Sequence, residues 1–122
     1  MSLDDYLAQL DAQLSKLQAL ITASSIEREI DSTIGLGMIR GQISFVDGSR
    51  FEFMEQLPVE RQKFRMHYMN AENQLIARWD SAPHHRELPT FPFHKHVPEG
   101  VQAHPATTVV QVLDEIVKML KG

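Results

Sequence analysis

The sequence predicts an α+β fold: an antiparallel meander of about five strands flanked by an N-terminal and a C-terminal helix. Three observations predict it. Leucines recur every three or four residues from Leu3 onward, apolar residues then recur every second residue through much of the stretch from Ser24 to Asp80, and a helical spacing returns after Thr108. The breaks between the alternating segments are short. Neighbouring strands must then be antiparallel, because parallel strands need a long crossover. A chain of 122 residues reads as a single domain, 1–122, long enough to bury a core without disulfides.

Leu3, Leu7, Leu10, Leu14, Leu17 and Ile21 place one apolar stripe on a helix of about five turns. Ser2 is its N-cap, and Asp4 and Asp5 occupy the first turn, where the helix dipole favours negative charge. From Ser24 the period changes to two: Ile26, Arg28, Ile30 and Ile34 share one parity and Glu27, Glu29 and Asp31 the other. Gly35 and Gly37 punctuate the chain before a second strand with Ile39, Ile43 and Phe45 on one side. Asp47-Gly48 predicts a two-residue hairpin turn. Arg50 to Glu55 form a third strand that puts Phe51 and Phe53 on one face, and Pro58 closes it. Arg61 to Met69 read as a fourth strand, with Phe64, Met66 and Tyr68 facing the core and Arg61, Lys63, Arg65 and His67 opposite. After the polar turn Asn70-Ala71-Glu72-Asn73, Gln74 to Asp80 form the fifth, with Trp79 packed beneath the sheet. Residues 81–105 hold five prolines and read as an ordered loop rather than a central strand. Its length favours a functional segment over a simple link. Thr108 and Gln111 have capping-box spacing, and Val109, Val112, Leu113, Ile116, Val117 and Leu120 supply the stripe of the last helix.

The net charge of −4 argues against a generic nucleic-acid binder, but the charge is polarised. Residues 1–60 hold ten acidic and four basic side chains, whereas residues 61–122 hold six and eight. Such asymmetry guides an anion to the basic half. The chain has no cysteine, which removes thiolate nucleophiles and Cys-based metal sites and fits a reducing compartment. No apolar run approaches the roughly 20 residues needed to span a bilayer, and the N-terminus lacks a secretory apolar region. A cytoplasmic protein without membrane association is expected.

Five of the six histidines fall between His84 and His104. Imidazole exchanges protons near neutral pH and is the commonest metal ligand, so these rings are the first place to look for chemistry. The side chains of Arg61, Lys63, Arg65 and His67 would recur roughly 6.6–7 Å apart along a strand, a spacing comparable with that of successive phosphates on an extended nucleic-acid strand. Arg78 on the next strand adds to this face if the register allows, and guanidinium suits phosphate because its fork donates two parallel hydrogen bonds. Metal-independent RNA cleavage needs a base, an acid and cations around the phosphate. His84, His85, His94 and His96 with Lys95 are the candidate catalytic groups; Arg61, Lys63, Arg65, His67, Arg78 and Arg86 are the candidate substrate-binding groups. His94 and His96 point the same way in an extended segment, which also suits a metal, with His84 or His85 as third ligand and Asp80 as carboxylate ligand or outer partner. The neighbouring Arg86 and Lys95 weigh against a cation, and no metal or other cofactor is assigned. Of Phe91 and Phe93, at least one pins the loop to the core. Gly-rich phosphate loops, Gly-x-Ser-x-Gly elbows and His-Glu-x-x-His helices are absent, which disfavours nucleotide triphosphatases, serine hydrolases and zincin-type proteases.

The stretch Arg78-Trp79-Asp80-Ser81-Ala82-Pro83-His84-His85, followed by Leu88-Pro89-Thr90-Phe91-Pro92-Phe93-His94-Lys95-His96-Val97, resembles the TumE family of prokaryotic toxin–antitoxin proteins. Many members carry His after Phe-Pro, where this chain has Phe93. The resemblance implies a growth-inhibiting toxin encoded beside a DNA-binding antitoxin, here expected to be of helix-turn-helix type, with RNA as the substrate by analogy with other small toxins. Two other readings stay open: a non-catalytic protein-interaction module, and a metal-dependent hydrolase using His84, His94 and His96. An exposed edge strand makes a homodimer reasonable.

Overall fold

A computed structural model describes residues 1–122. Helix α1 (Leu3–Lys16) and helix α2 (Val109–Lys121) enclose, in chain order, seven strands: β1 (Ile21–Asp31), β2 (Leu36–Phe45), β3 (Arg50–Leu57), β4 (Phe64–Met69), β5 (Leu75–Asp80), β6 (His94–Val97) and β7 (Gly100–Ala103). They pair antiparallel in sequence order, so the sheet is an unbroken meander with β1 and β7 at its edges.

The helix caps follow the sequence. The Ser2 side chain accepts from Asp5 N at 3.0 Å and that of Thr108 accepts from Gln111 N at 3.2 Å, each satisfying an amide that has no partner within its helix. Both helices lie on one face of the sheet. Tyr6, Leu10 and Leu17 meet Val112, Leu113 and Ile116 over a floor built from Ile43, Phe51, Met66 and Trp79, all in one buried cluster. Burying each such side chain contributes roughly 1.5–3 kcal/mol, which makes this layer the main source of stability. Strand alternation sends the charged parity to the other face, which no helix covers.

Several expectations need correction. The leucine stripe predicts a helix as far as Ile21, but α1 ends at Lys16; a 3₁₀ turn (Gln18–Leu20) follows, and Ile21 opens β1. Leu17 and Leu20 still pack on the core from this turn, so their spacing alone does not reveal the break. The β2–β3 turn is longer than two residues: Phe45 N donates to Ser49 O and Gly48 N to Phe45 O, with Gly48 at φ +85°. The fourth strand starts at Phe64 rather than Arg61. Val59–Arg61 form a 3₁₀ turn after Pro58, and Gln62 takes the left-handed conformation, so Arg61 and Lys63 lie outside the strand. Most consequentially, the Pro-rich stretch contains two strands, β6 and β7, and the sheet has seven strands rather than about five. None of the five prolines sits inside either strand, so no ladder amide is lost.

Candidate functional site

The uncovered face of the sheet carries two parallel rows of side chains set by the strand register. One runs Glu52, His67, Arg78, His96 across β3 to β6; the other runs Met54, Arg65, Asp80, His94. Each pair of neighbours stands directly opposite across a strand boundary, close enough to interact.

Beside these rows lies a cleft of about 900 Å³ between β4, β5 and the segment after β5. Arg61, Lys63, Arg65 and Arg78 line it, with Asp80 and His84. Arg61 and Lys63 reach it from the turn before β4 rather than from the strand itself. Arg78 Nε is buried without a hydrogen-bond partner, and the nearest carboxylate oxygen, Asp80 Oδ2, is 3.9 Å away. Phe93, which forms part of the wall, stacks on Phe64 at 5.9 Å between centroids and pins the segment to the core. A second groove of about 720 Å³ continues across β1 to β4; it shares Arg65 and adds His67, Glu52 and Arg40.

Three of the predicted histidines come together. The rings of His85, His94 and His96 lie 4.9–5.6 Å apart between centroids and meet edge to face. One potential ligand nitrogen from each lies within 4.8 Å of the others. His94 and His96 share a face because they alternate on β6. His85 reaches them from a left-handed backbone position, φ 57°. His94 is 2% exposed, and its Nδ1 lies 2.9 Å from Pro92 O. His85 Nδ1 lies 3.3 Å from the Glu87 carboxylate. Burial and then the Arg78 guanidinium hold the His96 ring below the usual histidine pKa; burial followed by Arg78 does the same for His67, with Glu52 opposing.

The remaining candidates are dispersed. His84 lines the cleft but stands outside the three-ring group. Arg86 lies over the Phe91 ring, 5.7 Å from its centroid. Lys95 points to the helix-covered face: its Nζ sits 5.1 Å from the Trp79 ring centroid and 3.7 Å from the Glu115 carboxylate on α2. Strand alternation that brings His94 and His96 together necessarily turns Lys95 away from them. His104 also leaves the group, with Nδ1 2.8 Å from Pro105 O. Two partners escaped the sequence reading, Glu87 and the Pro92 carbonyl. Each lies two residues from the ring it approaches, a spacing visible in the chain but without meaning until the local fold is known.

This arrangement can bind an extended polyanion along the cleft and presents imidazole nitrogens beside it. No helix of the chain is long and apolar enough to cross a membrane. A family model described as Toxin TumE matches residues 10–122, and no curated protein or solved structure matches the chain.

Proposed function

The chain belongs to the Toxin TumE family, and from that membership we propose that it inhibits growth by acting on RNA through the cleft on its uncovered sheet face. A toxin of such a family has an antitoxin partner. The observation that carries the RNA reading is the gathering of Arg61, Lys63, Arg65 and Arg78 around one cleft in a chain whose net charge is −4. Basic side chains concentrated against an acidic background hold a phosphate backbone and steer it to one place. The histidines beside Arg78 supply the chemistry, with His84 at the cleft wall. His67 lines the adjoining groove that shares Arg65 and is proposed to contact the same strand of RNA, and Arg86, which lies over Phe91, is proposed to add a more distant phosphate contact. Lys95 contributes from below by holding Trp79 and α2, the packing on which β5 and β6 rest.

The antitoxin is proposed to be a helix-turn-helix protein, as the family resemblance implies, and the protein is proposed to work in the cytoplasm, where cellular RNA is found. A homodimer contact is assigned to β1, an edge strand with unpaired backbone groups along one side. Ile30, Ile34 and Leu36 at its far hairpin are exposed, Ile34 to 63%.

The test is induction of the chain in a bacterium, with growth and the integrity of total RNA followed together. Growth arrest accompanied by RNA breakdown is expected, and Arg65→Gln/Arg78→Gln should relieve both. Arrest with intact RNA would direct the search to another target. Absence of any arrest would count against the proposal that this chain inhibits growth.

A further inference from the structure

The geometry points to a site for one divalent first-row transition metal ion, of the zinc class, on His85, His94 and His96. Three imidazoles meet with one nitrogen from each within 4.8 Å of the other two. A tetrahedral zinc-class ion holds imidazole nitrogens at about 2.0–2.1 Å, so closure onto an ion asks for movements on the order of 1 Å. His85, carried by a segment outside the sheet, is placed to make them.

The orientation of the rings favours a cation over an anion. His94 Nδ1 faces the Pro92 carbonyl at 2.9 Å, and His85 Nδ1 faces the Glu87 carboxylate at 3.3 Å. The Pro92 carbonyl is an acceptor, so in the neutral His94 ring Nδ1 carries the hydrogen and Nε2 keeps its lone pair for a ligand; the Glu87 carboxylate lies near His85 Nδ1 without a hydrogen bond and favours the same tautomer there. This is the outer arrangement typical of metal-bound histidine, in which a carbonyl or carboxylate fixes the tautomer and raises the basicity of the other nitrogen. An anion would instead require hydrogens on the inner nitrogens. Arg78 opposes a cation here; the Asp80 carboxylate, opposite His94 in the register and 3.9 Å from Arg78 Nε, offsets it. An ion at this place would add a Lewis acid beside the basic cleft. As the chemistry of the toxin, this rests on the RNA reading above; as ion binding, it is tested without RNA.

The experiment uses the full, untagged chain, stripped with a chelator and titrated with Co²⁺. Visible d–d absorption saturating at one ion per chain, displaced by Zn²⁺, is the expected result. Zn²⁺ should also raise the melting temperature of the wild type, since an ion that binds the native state stabilises it. Both signals should vanish in His94→Ala and in His85→Ala, the latter a half-exposed position whose loss leaves the sheet intact, and both should persist in His104→Ala. Glu87→Ala should leave the ion bound, with a loss of affinity smaller than that of either ring deletion. No saturable Co²⁺ signal in the wild type, or one that survives in folded His85→Ala, overturns the site. An ion bound by a chain that leaves RNA untouched supports the site and removes only the RNA reading.

Discussion

Glu55 gives a prediction that can be worked from the structure alone. It sits on β3 beneath both helices and is 2% exposed. Tyr6 Oη donates to Oε1 at 2.5 Å and Val109 N donates to Oε2 at 3.3 Å, so one carboxyl group joins α1, the sheet and the start of α2. Burial pushes its pKa up from 4.5 to about 7, while the two hydrogen bonds resist the rise. A carboxyl that binds its proton more tightly in the folded than in the unfolded state makes a contribution to stability that is whole below about pH 4.5. That contribution declines as the pH rises through the window and is gone above about pH 7. The gap corresponds to about 3 kcal/mol as an order of magnitude. Glu55→Gln keeps the shape and an acceptor for Tyr6 but cannot ionise. Urea unfolding of both chains, from about pH 4.5 to about pH 8, gives stability by linear extrapolation at each pH. The variant should gain about 3 kcal/mol on the wild type across the window. His67 and His96 titrate with the opposite sign, since rings held neutral by the fold lose stability as pH falls below 6.5, but they are common to both chains and cancel in the difference. A difference that stays flat, or that moves against the variant as pH rises, would refute the assignment of Glu55 as a buried carboxyl with a raised pKa.

Two other substitutions read the packing and the site separately. Thr108→Ala removes the acceptor for Gln111 N at the start of α2 and should cost about 1 kcal/mol in the same unfolding assay, with no loss if the cap is dispensable. Lys95→Met breaks the contact with Trp79 and the ion pair with Glu115, and should lower stability by about 1 kcal/mol while growth arrest persists. Loss of arrest in the folded variant would return Lys95 to the working side of the sheet.

Much of the fold is legible because burial is periodic. Phe64, Met66 and Tyr68 alternate in the sequence and are all buried, and Val109 to Leu120 carry a stripe that faces the sheet. The limits of the elements are less legible. Ile21 fits the helical spacing of α1 and equally the start of β1, because a residue at a junction packs on the same core from either conformation. The strands β6 and β7 are only four residues each, and prolines stand on both sides of the hairpin and in its turn, so nothing in composition separates them from a loop. That omission explains Lys95. Once His94 and His96 are placed on one face of a strand, alternation sends the residue between them to the other. The meeting of His94 with His96 was readable from their spacing. The choice of His85 over His84 as the third ring was not, since it depends on a left-handed backbone turn at His85 that no neighbouring glycine announces.

The most direct measurement is the salt dependence of single-stranded RNA binding by the purified chain. If Arg65 and Arg78 each hold a phosphate, the logarithm of affinity should fall linearly with the logarithm of salt, and Arg65→Gln/Arg78→Gln should make that slope shallower by about 1.4. Wild type and double variant falling with equal slopes, or RNA failing to bind at low salt, would contradict the claim that the uncovered sheet face is where this toxin meets its target.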